Sequence, residues 1–467
     1  MGHRLVVVGD CLLDRDLEGT VERLAPDAPV PVVDDPVGTA GPGGAGLAAV
    51  LAATDGWETV LVTALARDQA GAELRSLLDE AGVEVVDLGL EGTTPEKIRV
   101  GAPGRPLLRL DRGGRGGAVG PATPDAARAL EAASAVLVSD YGRGITSEPG
   151  IRRLLAGATR RVPVVWDPHP RGAEPVADCA LLTPNRGELA QLAGGGPGGD
   201  GFAALAGAAT ALLRRTRART VVVTLGSRGA LAVSHGAPPL AVPAGPAAAG
   251  DPCGAGDRFA VTAAVRLGSG ARMDEAMTAA VCAASAFVAR GGARAARSGG
   301  RGPLELSARA ANGDVPEVVS RVRATGGVVV ATGGCFDVLH RGHVSLLEGA
   351  RALGDCLVVC LNSDASVRRL KGPARPLVAE DDRAAVLASL RCVDAVVPFA
   401  EDRPDALLRR LRPDVWVKGG DYTLDRLPEA GLVSSWGGST VVLPHVDGRS
   451  SSGLIAEAAR RVDARAG

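Results

Sequence analysis

Short, continuous apolar runs rich in β-branched residues recur along the chain, each followed by a stretch built largely of Ala, Leu and Arg. The runs are Leu5–Val8, Val60–Thr63, Val136–Ser139, Val164–Trp166, Val221–Thr224, Val328–Thr332, Cys356–Leu361, Val393–Pro398 and Val415–Val417. A strand that is apolar on both sides is buried on both faces, and helices between such strands cover the two faces of a parallel sheet. The pattern predicts an α/β chain. At 467 residues it exceeds one ordinary core. The alternation lapses between about 291 and 326, where Gly, Arg, Ala and Ser dominate (GGARAARSGGRG). A linker over 301–326 leaves a doubly wound domain at 1–300 and a smaller, Rossmann-like doubly wound domain at 327–467.

Charge and composition narrow the partners. A net charge of −1 and 2% aromatic residues leave no basic, aromatic-studded surface, so no nucleic acid is expected. No apolar run approaches the ~20 residues of a membrane span, and the N-terminus runs straight into a strand, so neither a membrane nor a signal peptide is expected. Eight cysteines without a CxxC pair fit buried thiols in a reducing cytoplasm. Lysine occurs only at Lys97, Lys371 and Lys418, against arginine everywhere else. A compact ammonium and a planar guanidinium are not interchangeable at a phosphate, which draws attention to those three positions.

Two familiar phosphate motifs fail. Gly41-Pro42-Gly43-Gly44-Ala45-Gly46 fits G-x-G-x-x-G but lacks the strand–helix setting and the acidic residue ~20 positions on that ribose recognition needs. No G-x-x-x-x-G-K-[ST] occurs. The strong signal is Asp251-Pro252-Cys253-Gly254-Ala255-Gly256-Asp257-Arg258-Phe259 before an Ala-rich helix. Small residues at a helix start let backbone N–H groups approach an anion. An aspartate ending such a loop is placed to take a proton from a hydroxyl attacking a bound phosphoryl group. An Asp N-cap in a Gly-rich turn is the structural alternative.

This segment resembles the D-x-x-G-A-G-D-x-F signature of the ribokinase-like (PfkB) sugar kinases, and the likeness spans residues 4–295. The resemblance implies that Asp257 is the catalytic base, with the amides of Gly254, Ala255 and Gly256 as the anion hole. It places Asp14 and the turn Gly43-Gly44 on the sugar. It places Asn185 and Glu188 of Thr183-Pro184-Asn185-Arg186-Gly187-Glu188 on phosphates and, indirectly, on Mg²⁺. Thr224, Gly226 and Gly229 fall on the nucleotide side. Within that family GDCLLDR, PEKIRV, LLRLD and SDYGRG look most like heptose 7-phosphate kinases, with Arg15, Lys97, Arg99 and Arg109 as candidates for the pre-existing phosphate. Relatives usually continue the Gly-Gly turn as A-N-V-A-x-N, whereas this chain has Leu47 and Leu51 at the two Asn positions.

In the C-terminal part, Thr332-Gly333-Gly334-Cys335-Phe336-Asp337 leads into His340-Arg341-Gly342-His343. Histidines three apart at a helix start point the same way, and imidazoles there can donate to a phosphoryl oxygen as charge builds. Zinc is disfavoured, because only His445 lies near in any sense and no H-E-x-x-H occurs. The segment resembles the H-x-G-H nucleotidyltransferases from 328 to about 460. That implies His340 and His343 stabilise the α-phosphoryl transition state and Lys371 neutralises phosphate. Thr332, Cys335, Phe336, Arg383, Lys418, Asp421, Ser450 and Ser451 would line the nucleotide site. Relatives usually read T-N-G-C-F-D, so Gly333 is a departure.

Together the halves resemble, in order, the bifunctional heptose 7-phosphate kinase/heptose 1-phosphate adenylyltransferases. The resemblance implies ATP as substrate of both halves, Mg²⁺ as cofactor, a sugar phosphate as the other substrate and a separate bisphosphate phosphatase between the two steps. Ribokinase-like domains often pair, which implies a homodimer. Two other readings stay open here: the same chemistries on another sugar phosphate or with CTP, and a non-catalytic kinase-like module joined to an active nucleotidyltransferase.

Overall fold

The computed structural model describes residues 3–102, 105–113, 117–194, 201–244, 250–294, 315–420 and 427–444. Its contacts group the chain into two compact units, Met1–Gly195 with Ala211–Thr224 and Ala248–Glu305, and Gly196–Thr210 with Leu225–Ala247 and Leu306–Gly467. This partition is discontinuous in sequence, unlike the single cut expected at 301–326. A pattern of strands and helices reports local elements, and long-range grouping lies outside its reach. Within the expected linker, Val315–Ala324 is a helix whose Val318 and Val319 are buried against Val329, Val358 and Leu408. Its apolar spacing is short, which hid it beside the Gly-rich stretch.

Each of the nine apolar runs coincides with a strand to within two residues. In the first unit seven parallel strands follow the order Glu84–Asp87, Glu58–Thr63, Arg4–Gly9, Ala135–Ser139, Val164–Asp167, Leu181–Leu182, Thr220–Thr224. Leu5, Val6, Val7 and Val8 are wholly buried, as strands covered on both faces require. The chain winds outward from Arg4–Gly9 in one direction and then, from Ala135–Ser139, in the other. That reversal opens a crevice at the carboxyl ends of these two strands, where open α/β sheets bind ligands.

A second sheet in this unit was not expected from the sequence. It runs Pro31–Gly44, Cys11–Leu24, Glu96–Ala102, Arg105–Arg112, with one parallel pairing between Cys11–Leu24 and Glu96–Ala102. These strands are long, charged and Gly/Pro-rich, so they carry no apolar run. Their register sorts the candidate cations. Asp14, Lys97 and Asp111 lie in one row, and Asp16, Arg99 and Arg109 in the next. Successive side chains in a strand point to opposite faces. Arg15 therefore faces away from Asp14, and its guanidinium is held by Glu73 (2.7 and 3.0 Å) and Glu96 (2.7 Å).

In the second unit five parallel strands run Ala395–Phe399, Cys356–Asn362, Val329–Gly334, Val415–Gly419, Ser439–Leu443. The winding reverses between Val329–Gly334 and Val415–Gly419. Trp416, Val358, Phe399 and Val433 fill the core on one face. Among the described residues no helix is long and apolar enough to cross a membrane.

Candidate active sites

Most of the described motif residues of each half lie toward its carboxyl-end crevice. In the first unit the helix Ala255–Gly268 starts at Gly254, whose φ of 81° puts it in the left-handed region. A Cβ there would meet Leu47 at 2.9 Å and Phe287 and Ala293 at 3.2 Å, so only glycine lets the loop settle on the helix Ala45–Thr54. The Gly254 and Gly256 N–H groups have no acceptor among the described residues and remain open to an anion. The Ala255 N–H donates to the Pro252 carbonyl at 3.0 Å, which corrects the expectation that all three amides form the anion hole.

Asp257, in the first turn, is buried. The Tyr141 hydroxyl donates to its carboxylate at 3.0 Å. Burial pushes the Asp257 carboxyl up to about 7, against the lowering pull of that hydrogen bond and of Lys97. The Tyr141 ring lies 3.4 Å from a Cβ placed on Gly44, and a Cβ on Gly43 would strike the Asp14 carboxylate at 2.6 Å. The Gly-Gly turn thus leaves room for Asp14 and Tyr141 together. Lys97 Nζ and Arg99 Nη1 stand 3.8 and 3.4 Å from Asp14 Oδ1. Arg99 also reaches Asp16 at 3.4 Å and the Cys253 thiol at 3.3 Å. Arg109 is held by both oxygens of Asp111 (2.8 and 2.9 Å).

On the far side of Asp257, burial and the charges of Glu188 and Asp257 raise the Asp167 carboxyl well above its ordinary range. Thr183 donates to it at 2.7 Å. Asn185 and Glu188 form a reciprocal capping box on the helix Arg186–Leu192 (3.0 and 2.8 Å). Thr224 bridges to Asn185 at the end of its strand. In the second contact unit, Gly226 and Gly229 (φ 62° and 88°) close a one-turn 3₁₀ helix, Gly226–Arg228.

In the C-terminal strand crevice, His340 caps the helix Arg341–Arg351, its Nδ1 accepting from the Gly342 N–H at 3.1 Å. The His340 and His343 rings stack with centroids 3.9 Å apart, and Phe336 leans on His343 at 5.3 Å. Burial, then the neighbouring His340, lowers His343 to about 4, so it is neutral at physiological pH. His343 Nδ1 is buried with no hydrogen-bond partner. A polar atom left in that state is costly unless a ligand completes it. Phe336 and Val338 hold φ of 44° and 54°, a strained conformation for bulky side chains. The buried Asp337 carboxylate fixes the loop, accepting from Leu377 and Val378 N–H (3.0 and 3.1 Å) beside Arg375 Nε at 2.7 Å. Lys371 ends the helix Asp364–Lys371 and has no ion pair among the described residues; its charge pulls down the Cys335 thiol, which burial raises.

Comparison with known proteins now decides the family. A pfkB family carbohydrate kinase profile matches residues 3–298, and a cytidylyltransferase-like profile matches residues 331–445. The Bifunctional protein HldE of Streptomyces coelicolor is 56% identical over 97% of this chain and 96% of its own. This chain belongs to the bifunctional HldE family. Proteins of the same name from Caulobacter vibrioides and Nitrosococcus oceani are 38% and 36% identical, each over 97% of this chain and 96% of their own. The chain is therefore an enzyme that joins a carbohydrate kinase to a nucleotidyltransferase, and ATP use follows from these folds.

Several expected ligands of this HldE family member turn inward. Arg383 is 2% exposed, and its guanidinium is spent on the carbonyls of Cys335, Asn362 and Val378 and on Asp364, so it clamps the loop where nucleotide contact was expected. The Thr332 hydroxyl bonds the Val417 carbonyl (2.9 Å) across the sheet. Lys418 pairs with the buried Glu429 at 3.3 Å and sits 5.1 Å over the Trp416 ring. Asp421, Ser450 and Ser451 lie outside the described residues. Motif reading missed Tyr141 and Asp167. The signal for Tyr141 was present in SDYGRG, which holds one of only two tyrosines in the chain.

Proposed function

We propose that the chain makes ADP-heptose in two steps. In the first, Asp257 takes the proton of O1 of D-glycero-β-D-manno-heptose 7-phosphate as that oxygen attacks the γ-phosphorus of ATP. The γ-phosphorus–oxygen bond breaks and ADP leaves. The open amides of Gly254 and Gly256 receive the transferring phosphoryl oxygens, and Asp14 beside the Gly43-Gly44 turn holds sugar hydroxyls. A separate phosphatase then removes the 7-phosphate. In the second step the O1 phosphate attacks the α-phosphorus of ATP and pyrophosphate leaves. His340 and His343 donate to the α-phosphoryl oxygens, Lys371 offsets phosphate charge, and Phe336 and Lys418 shape the nucleotide pocket. The observation that carries this reading is the buried Asp257–Tyr141 pair beside open helix-start amides, in a chain that also holds the stacked His340–His343 pair.

Mg²⁺ fits the acidic side of the kinase site. Asp167 and Glu188 are oxygen donors whose carboxyls are raised by burial, and Asp167 also by its neighbours' charge, a state that a cation relieves. No group of three or more metal-ligating side chains occurs among the described residues. Asp167 and Glu188 would hold the ion beside the ATP phosphates, where it would supply charge neutralisation. The eight cysteines are all free, which supports action in the reducing cytoplasm. A homodimer follows by analogy with other ribokinase-like domains. The test is ³¹P NMR of the protein with MgATP and heptose 7-phosphate, then with heptose 1-phosphate. An anomeric phosphate in the first tube and a diphosphate-linked sugar in the second are expected; silence in both sinks the heptose assignment.

A further inference from the structure

Two arginines beside the kinase crevice, Arg143 and Arg171, lie near each other and feel each other's charge. The N–H groups of Tyr141, Arg143 and Ile145 all donate to the buried Asp10 carboxylate (3.1, 3.0 and 3.3 Å), which pins this loop at the carboxyl end of Ala135–Ser139. The loop carrying Arg171 folds onto it. A Cβ on Gly142 would lie 2.9 Å from both Arg171 Cβ and His169 Nδ1, and one on Gly172 would strike Asp140 Oδ2 at 2.0 Å. His169 Nδ1 accepts from the Arg171 N–H at 3.1 Å, which fixes the turn.

The neighbouring carboxylates are already engaged. Asp10 serves three amides, Arg109 holds Asp111, and Asp140 accepts from the Gly142 N–H (2.8 Å) and the Thr146 hydroxyl (2.9 Å). Neither Arg143 nor Arg171 makes an ion pair with a described residue. Burial lowers the Arg143 pKa, and the positive charges of Arg171 and Arg109 lower it further, although Asp10 and Asp111 pull the other way. Guanidinium groups gathered in this way are stabilised by a dianion that both can fork onto. Arg143 also stands two residues from Tyr141, whose hydroxyl bonds Asp257, with at most ~7 Å between the two Cα atoms.

We propose that Arg143 and Arg171 form the subsite for the non-reacting phosphate of the kinase substrate, a phosphomonoester at the far end of a sugar whose O1 lies at Asp257. This rests on the sugar-phosphate reading above and reassigns the phosphate from the cations expected in the sequence. Arg15 is on the opposite face of its sheet, Arg99 is shared by Asp14 and Asp16, and Arg109 is held by Asp111. Lys97 stays near Asp14 and Asp257 and belongs with the reacting end.

The test compares the full chain with Arg143→Gln, Arg171→Gln and the double variant, using Arg128→Gln as a distant surface control. With the β,γ-imido analogue of ATP and Mg²⁺ filling the transfer site, inorganic phosphate is titrated and followed by calorimetry. Phosphate binding by the parent and the control, lost in the double variant, is expected. Equal binding by parent and double variant, or binding by neither, overturns the subsite. Kinase assays then give KM for heptose 7-phosphate, expected to rise about 100-fold in the double variant with kcat and KM for ATP little changed. Arg171 is exposed, so its single variant folds and carries a smaller rise. An unchanged sugar KM in an active double variant overturns the subsite and leaves the heptose reading intact. Phosphate binding through these arginines without any turnover of heptose 7-phosphate leaves the subsite standing and overturns the heptose reading.

Discussion

The two crevices differ in the chemistry of what they bury. The kinase crevice gathers acids: Asp257 is pushed up to about 7 and bonded to Tyr141, and Asp167 is raised well above its ordinary range. The nucleotidyltransferase crevice gathers imidazoles and cations, and its buried acids are already paired: Asp337 with two backbone N–H groups and Arg375, and Glu429 with Lys418. The nucleophiles explain the contrast. A sugar hydroxyl is neutral and needs a base to lose its proton during attack. A sugar phosphate arrives already anionic, so a base has nothing to remove and would only add repulsion. The second crevice needs donors and positive charge at the phosphates, which the His340–His343 stack and Lys371 offer.

The hardest test of this contrast is to remove each site's central group and watch the other. Asp257→Asn keeps the shape and removes the proposed base. Sugar phosphorylation is expected to fall about 10³-fold, with adenylyl transfer to the sugar 1-phosphate unchanged. His343→Asn is expected to cost adenylyl transfer about 10²-fold or somewhat more while phosphorylation persists. Both can be read from one ³¹P time course per substrate. A fall in both activities from either change would break the separation of the two chemistries.

pH sharpens the comparison without mutation. In its proposed role as base Asp257 works deprotonated, and its raised pKa of about 7 means phosphorylation should drop about tenfold per unit as pH falls below about 7. His343 is lowered to about 4, so its neutral form persists across the working range. Adenylyl transfer should therefore show no acid limb from His343 until pH nears about 4. Tyr141→Phe should move only the kinase limb. The lost hydrogen bond lowers the Asp257 pKa in the parent, so the limb shifts to higher pH, and the rate at neutral pH falls by about tenfold. A limb that stays in place would mean that Tyr141 does not tune the base.

Much of this was legible in the chain, for reasons that differ by region. The parallel strands were visible because Leu5–Val8 and Cys356–Leu361 are apolar on both faces, which few other structures require. Asp257 and the His340–His343 pair stood out because their chemistry comes from residues adjacent in sequence. Tyr141 was harder to see, because its meaning depends on Asp257, over a hundred residues away. The charged second sheet gave no periodic apolar signal, so the facing of Arg15 away from Asp14 appeared only with the register. Arg383 reads as a nucleotide ligand in sequence, since burial of a guanidinium by carbonyls from three separate segments leaves no local mark.

The smallest expected effect concerns the two departures from the family pattern, and it asks whether both are packing solutions. At Gly333, where the resembled motif usually has Asn, a Cβ would lie 2.6 Å from Trp416 Cη2, and Trp416 is wholly buried. The indole occupies the space an Asn side chain would need. Leu47 and Leu51 do the corresponding work in the first unit, both 7% exposed, with Leu47 beneath Gly254 of the phosphate loop. Gly333→Asn alone should overpack the site and destabilise the protein by about 1–3 kcal/mol. Trp416 also carries Lys418 on its ring, so the displaced indole should raise KM for ATP in adenylyl transfer and leave phosphorylation alone. Gly333→Asn with Trp416→Leu opens room for the amide and should recover part of the stability lost by the single change. Thermal unfolding of the single and double variants measures that coupling. Strictly additive losses would show that the indole is not what excludes Asn, and the likeness between the two departures would end there.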